Sequence, residues 1–337
     1  MGTEHTYIIA EAGVNHNGDI RLAKQLIDVA AESGADAIKF QTFKAHEATG
    51  IYADKAEYQK NGDSESQLEM IKKLELSFES FGELKDYAEN RNLDFISTPD
   101  GTESLKCLLD IDVQIIKIGS TEVTNLPFLK EIGSTGKPII LSTGMSTMGE
   151  VEQALDAIYS TGNNNVTLLH CTTSYPTPIK DVNLRTMITL RDAFKTPVGL
   201  SDHTTSCEAA IAAVSLGAKY IEKHITLDHS LPGPDHKASM DPIEFKEYVR
   251  SIRNTELLLG NGIKKPTEAE CEIMKAVRRS ILAKDDIPAD AIIERDMLCY
   301  KRPGDGIKPE YADILIGMRT RRSIKKEEKI LWDDVKG

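Results

Sequence analysis

From Tyr7 to His224 the chain repeats one unit eight times: a short apolar strand, a polar residue closing it, a loop and an amphipathic helix. Alternation of this kind builds βα units, and eight of them predict a (β/α)8 barrel. The expected strands are Tyr7–Ala10, Ala37–Gln41, Asp94–Ser97, Gln114–Ile118, Pro138–Ser142, Val166–His170, Val198–Leu200 and Tyr220–His224. Helical stretches such as Arg21–Ser33 and Gly149–Tyr159 lie between them, each with one apolar face. The residues at or just past the strand ends are Glu11, Lys39 with Gln41, Thr98, Lys117 with Ser120 and Glu122, Ser142, Thr173 with Tyr175, Ser201 with His203, and His224. Strand C-termini of a barrel gather round one mouth, so these scattered residues are expected in one site.

One connection is longer than the rest. Residues 44–93 carry an insertion ahead of two helices, and long loops at a barrel mouth commonly cover substrate. Beyond the helix near Phe245–Leu259, the run from Gly260 to Pro266 reads as a hinge. The C-terminal segment has a different pattern: Arg278-Arg279-Ser280-Ile281, trailed by Asp285-Asp286, is weakly echoed by Arg321-Arg322-Ser323-Ile324, trailed by Lys326-Glu327-Glu328. This reads as a small β-rich module near the lower limit of independent stability. The expected division is a barrel over 1–262, a linker over 263–275 and the module over 276–337.

At 337 residues the chain has room for both domains, and 40% apolar with 28% charged residues is globular composition. No apolar run approaches the ~20 residues of a membrane helix, and the start lacks a secretory pattern, so a cytoplasmic protein without a membrane partner is expected. Cys107, Cys171, Cys207, Cys271 and Cys299 are odd in number and contain no CxxC, which suits reduced thiols. A net charge of −12 argues against nucleic acid but leaves an anionic small molecule open, because lysines in a cleft set the local field.

His203 and His224 close successive strands, and two neutral imidazoles in one mouth suit Mn, Co or Zn while leaving positions open for substrate and water. The competing reading is that either merely hydrogen-bonds to backbone. His170 reads as structural, and His236 is open. Lys39 and Lys117 end apolar strands, where a charge needs a partner. With the hydroxyls of Thr98, Ser120, Ser142 and Ser201 they make a lining for phosphate and carboxylate. The alternative is an ion pair with Glu11 or Glu122. Glu11, Glu122 and Asp235 are acid–base candidates. Neither GxxxxGK[ST] nor a strand-borne GxGxxG is present, which disfavours nucleotides.

The motifs resemble a known family, the bacterial sialic acid synthases and more broadly the nonulosonate synthases. They are Ala10 to Gly18, Ile38-Lys39-Phe40-Gln41-Thr42, Ser97-Thr98-Pro99, Lys117-Ile118-Gly119-Ser120, Leu141 to Met145, Leu169 to Thr172 with Tyr175 to Pro178, Gly199 to His203, Glu222-Lys223-His224 and Gly233 to His236. They run in family order along nearly the whole chain. The last part, with Arg278 to Ile281 and Lys301 to Ile307, resembles the family's antifreeze-like or SAF domain.

The resemblance implies that phosphoenolpyruvate, an open-chain N-acetylated amino sugar and water give a nine-carbon 2-keto acid and phosphate. It implies a divalent ion, Mn2+ foremost with Mg2+ or Co2+ as alternatives, on His203 and His224. Lys39, Thr98, Lys117, Ser120, Ser142, Thr173 and Ser201 would hold phosphoenolpyruvate. Glu11, Gln41, Glu122, Tyr175 and Asp235 would serve the sugar, the water and proton movement. Arg302 would reach the sugar's N-acyl group from the partner in a domain-swapped homodimer, and Asn61 would also touch the sugar.

Thr173, Thr121 and Asp100 depart from the common pattern, where asparagine, glycine and phenylalanine are frequent. They bear on the sugar more than on the reaction. N-acetylmannosamine, giving N-acetylneuraminate, is the first expectation. A diacetamido-trideoxy hexose, giving legionaminic or pseudaminic acid, is the alternative. A phosphatase or hydrolase on the same barrel would need no aldehyde acceptor, and a sugar-binding protein would leave the lysines and histidines unexplained.

Overall fold

The computed structural model describes residues 5–53 and 66–337. Eight strands close into a parallel barrel: β1 Tyr7–Gly13, β2 Ala37–Thr42, β3 Asp94–Pro99, β4 Ile116–Ile118, β5 Ile139–Ser142, β6 Val166–Cys171, β7 Val198–Asp202 and β8 Tyr220–His224. Closure is made by β1 against β8, which sets Glu11 beside His224. Several strands run past the end of their apolar run, β1 to Gly13 and β7 to Asp202. The ladder continues because each polar residue there still has a hydrogen-bonded neighbour on both sides of a closed sheet.

Alternation along the strands sorts the side chains into two faces. Outward residues such as Ile8, Ile38, Phe40, Ile116, Leu168 and Ile221 pack against the helices in the main core. Each such fully buried aliphatic contributes about 1.5–3 kcal/mol. Inward, Ile9, Ala37, Ile96, Ile140 and Leu169 form an apolar plug. Two residues further along the same strands stand Glu11, Lys39, Thr98, Ser142 and Cys171, all buried. The site is therefore a polar layer on an apolar floor. Gly199 admits the close packing of that floor, since a Cβ there would lie 2.3 Å from the Tyr220 carbonyl oxygen.

Several of the helices between strands start at side-chain caps. Asp19 accepts the Arg21 N–H at the start of Ile20–Ser33, and Thr147 and Glu150 form a capping box for Met148–Tyr159. The insertion after β2 contains the helices Ala45–Ala48, Gln67–Lys73 and Phe78–Glu89. Val14, Phe43 and Leu74, with Ile71 against them, make a small apolar cluster of their own here.

The chain divides into two compact units, Met1–Asn261 and Gly262–Gly337. The second unit opens with the helix Glu268–Val277, so residues 268–275 of the expected linker are helical. Thr267 and Glu270 cap it with a reciprocal box, the local signal that the linker reading overlooked. After it come the antiparallel pairs β9 Ser280–Ala283 with β10 Leu298–Lys301, and β11 Arg319–Thr320 with β12 Val335–Lys336. Ile281 and Ile324, which correspond in the two echoed segments, are fully buried in this unit's core.

Candidate active site

A cavity of about 780 Å³ opens at the C-terminal ends of the barrel strands. Glu11, Lys39, Gln41, Thr98, Lys117, Ser120, Glu122, Ser142, Thr173, Tyr175, Ser201, His203 and His224 all line it. Asp235 lines an adjoining recess shared with Gln41, Tyr175 and His224. Asn61 lies outside the described residues, and Arg302 is an exposed residue of the second unit.

At the floor, Lys39 Nζ lies 2.7 Å from Glu11 Oε1 and 3.4 Å from Thr98 Oγ1. Lys117 Nζ donates to Ser142 Oγ at 2.7 Å and to the Ile118 carbonyl at 3.2 Å. Between the lysines stands Glu222, 3.8 Å from Lys39 and 3.7 Å from Lys117, with Ser201 Oγ donating to it at 3.2 Å. The ion-pair alternative is thus realised with Glu11 and with Glu222. Glu122 is not the partner: its carboxylate accepts from Asn125 Nδ2 at 2.7 Å.

Sequence reasoning named Glu222 only as part of the motif Glu222-Lys223-His224 and gave it no role in the site. Its signal was the period of two, because β8 places Tyr220, Glu222 and His224 on one face. Asp100, also overlooked as a site group, lines the same cavity.

Burial sets the charge states. It raises the Glu11 carboxyl, an effect opposed by Lys39 and reinforced by Glu222. Glu222 is held below the usual carboxylate range: burial pushes it up, and Lys117 and Lys39 more than reverse that. Lys117 is lowered by burial against the pull of Glu222. Asp100 is pushed up to about 7 by burial and then by Glu122, and Asp235 to about 6 by burial. The second oxygens of Glu11 and Glu222 have no hydrogen-bond partner, although both are buried. Such orphaned acceptors mark a place built for something further.

His203 and His224 face each other with ring centroids 5.4 Å apart, and the Tyr175 ring lies 4.1 Å from His203. His203 Nδ1 lies 2.8 Å from the Thr172 carbonyl, so it carries the proton and leaves Nε2 as a lone pair. His224 Nδ1 is buried without a hydrogen-bond partner, 4.0 Å from Asp235. Its pKa is well below the usual histidine value because of burial and then the charges of His203 and Lys39, so the ring is neutral. The pKa of His203 is raised: burial lowers it, and Cys171 and the Thr172 carbonyl more than reverse that. With one Nδ1 fixed as a donor and one nitrogen orphaned, the pair fits a divalent cation that takes the place of the second proton on His203.

By contrast, His170 Nε2 meets the Val182 carbonyl at 2.6 Å and His236 Nδ1 meets Thr226 Oγ1 at 2.7 Å. Both are structural. Asn15 in the β1 loop donates to the Ile225 carbonyl and Ser239, tying that loop to the segment after the neighbouring β8.

Near Ser120 the backbone is drawn in. Gly144 N–H donates to Ser120 Oγ at 2.9 Å, and a Cβ on Gly144 would lie 2.3 Å from Thr173 Oγ1. The Ser120 and Thr173 hydroxyls and the two lysines converge as an anion cradle.

The chain matches the NeuB family over residues 26–264 and the SAF domain over residues 278–336. It is similar to the N,N'-diacetyllegionaminic acid synthase of Campylobacter jejuni, at 47% identity over 96% of this chain and 98% of the relative. That of Legionella pneumophila is 46% identical over 98% and 94%. Among solved structures, the N-acetylneuraminic acid (sialic acid) synthetase of Leptospira borgpetersenii, in complex with citrate, is 34% identical with a TM-score of 0.71. The match covers 81% of this chain and 91% of that one.

Proposed function

The chain belongs to the NeuB family with a SAF domain, and on that premise we propose that it is an N,N'-diacetyllegionaminic acid synthase. As a phosphoenolpyruvate-condensing nonulosonic acid synthase it is a transferase. The acceptor proposed is 2,4-diacetamido-2,4,6-trideoxymannose. Carrying this choice is the 46–47% identity to two N,N'-diacetyllegionaminic acid synthases across nearly whole chains, against 34% for the sialic acid synthetase. The order expected from sequence, N-acetylmannosamine first, is reversed: the motifs that carried it serve the shared reaction and not the sugar.

In the proposed mechanism Lys39 and Lys117, with Thr98, Ser120, Ser142, Thr173 and Ser201, bind the phosphate and carboxylate of phosphoenolpyruvate. Family members are metal-dependent, and His203 Nε2 and His224 are the nitrogens that would hold the ion, with Mn2+ the proposed metal. Once bound, it supplies Lewis-acid polarisation of the sugar aldehyde.

C3 of phosphoenolpyruvate bonds to the aldehyde carbon, water oxygen adds to C2, and the C2–O bond to phosphate breaks. Glu11 and Asp235, raised by burial, are the proposed carriers of the proton from the water to the new hydroxyl oxygen. Glu122 orients the water, while Gln41 and Tyr175 orient the sugar. Arg302, with Asn61, is proposed to serve the acceptor in a domain-swapped homodimer. Co-refolded Arg302→Ala and His224→Ala chains should then regain activity that neither parent has.

The test is phosphate release from phosphoenolpyruvate with each sugar. We expect higher kcat/KM on the diacetamido-trideoxy sugar. A preference for N-acetylmannosamine overturns the proposed acceptor, and release without any sugar overturns the synthase.

A further inference from the structure

The recess beside the main cavity, about 150 Å³ in volume, has two unlike walls. Gln41, Asp100, Tyr175, His224 and Asp235 form one, and all but Asp100 are groups of the proposed site. Val14, Phe43, Met70, Ile71 and Leu74 form the other, from the loops after β1 and β2 and the helix Gln67–Lys73. Val14, Phe43 and Leu74 are at most 9% exposed and pack on one another. That wall offers no side-chain donor or acceptor.

We propose that this recess is the subsite for the deoxy terminus of the acceptor, its C6 methyl group, an inference that rests on the sugar assigned above. The aldehyde end of the sugar must lie at His203 and His224, beside phosphoenolpyruvate. The rest of the open chain then runs along Gln41, Tyr175 and Asp235, and the far end meets the apolar wall. An N-acyl group brings a carbonyl and an N–H that this wall leaves unpaired. A 6-hydroxyl would likewise be stranded there. A methyl group loses nothing on entry and buries apolar surface. Val14, Met70, Ile71 and Leu74 are therefore specificity-determining residues, which gives the insertion after β2 a role in choosing the sugar.

Comparing N-acetylmannosamine with its 6-deoxy analogue isolates the one atom in question. Wild type should favour the deoxy sugar in kcat/KM by roughly 10- to 200-fold, the range for one apolar group in a fitted pocket. Met70→Gln and Val14→Thr keep side-chain size and place a polar atom in the wall. In each, that preference should fall about tenfold through KM of the deoxy sugar. Met70 is partly exposed, so its variant folds even where a buried change at Val14 does not. A wild-type ratio near one, or a ratio unchanged in folded Met70→Gln, overturns the subsite. The acceptor assignment fails separately, if the diacetamido-trideoxy sugar is used no better than N-acetylmannosamine while the 6-deoxy preference persists.

Discussion

Two faces of a single strand treat buried charge in opposite ways. On the inner face of β8, Glu222 and His224 keep a carboxylate oxygen and a ring nitrogen without hydrogen-bond partners. On the outer face, Lys223 donates to the Thr204 carbonyl and pairs with Asp202 at 3.4 Å, while Tyr248 donates to Asp202 at 2.8 Å. Lys223 is as deeply buried as any group in the mouth, yet it forms a closed network. A buried charge whose partners are all protein groups holds the fold, and one left with open valences holds a ligand.

The sharpest break in this comparison is at His224. With its ring removed, no second nitrogen remains opposite His203, and turnover should fall ~10⁴-fold, about 5.5 kcal/mol of transition-state stabilisation. The fold should survive, because the ring makes no protein hydrogen bond through Nδ1. Phosphate release, bound metal by mass spectrometry and circular dichroism on His224→Ala check this. Full activity after exhaustive chelation would remove the metal from the mechanism.

Lys223→Ala should behave in the opposite sense. It leaves Asp202 buried beside Tyr248 without its cation, and breaking such a pair from one side costs about 3–5 kcal/mol. Urea unfolding should show that loss, while the KM for phosphoenolpyruvate in the folded fraction stays at the wild-type value. A variant as stable as wild type but inactive would reverse the roles of the two faces.

A third effect is smaller and depends on pH. Asp100, at the mouth, is pushed up to about 7 by burial and then by Glu122. A carboxyl raised on folding binds its proton more tightly in the native state. Its contribution to stability is therefore complete below about pH 4 and is lost as pH rises towards 7. Asp100→Asn removes that loss. It should be more stable than wild type by about 1–2 kcal/mol at pH 8, partial exposure having discounted the full shift, and equal to it near pH 4. Thermal unfolding at the two pH values decides. A variant less stable at pH 8 would mean that Asp100 has a cationic partner and belongs with Lys223.

The same strand shows what the sequence could convey. The barrel was legible because eight apolar runs spaced by amphipathic helices admit few other arrangements, and the polar strand ends then fell into one mouth. His203, His224, Lys39 and Lys117 stood out because their chemistry is unusual at the end of a buried strand. Glu222 did not, since a run Glu-Lys-His looks uniformly polar until the register assigns alternate residues to opposite faces. Asp100 was noticed only as a departure from a pattern. The apolar recess was hidden for another reason: Val14, Phe43 and Leu74 are far apart in sequence, and only the fold makes them a wall.

The smallest expected effect tests whether proximity of ligand-type atoms is enough to make a metal site. His229, Asp241 and Glu244 place one ligand atom each within 4.8 Å of one another, a metal-binding set by distance alone. Their atoms are already engaged. Asp241 caps the helix Pro242–Leu259 by accepting the N–H groups of Ile243 and Glu244 at 2.8 and 2.9 Å. Glu244 accepts the Asp241 N–H in return and lies 2.9 Å from His229 Nε2. This is a capping box with an exposed histidine added, and such surface contacts are worth about 0.5 kcal/mol. His229→Gln should accordingly shift the urea midpoint by little more than experimental scatter and leave metal content and chelator sensitivity at wild-type values. Loss of a bound equivalent of metal in that variant would show that satisfied valences do not exclude a ligand, and the distinction between the two faces of β8 would fail with it.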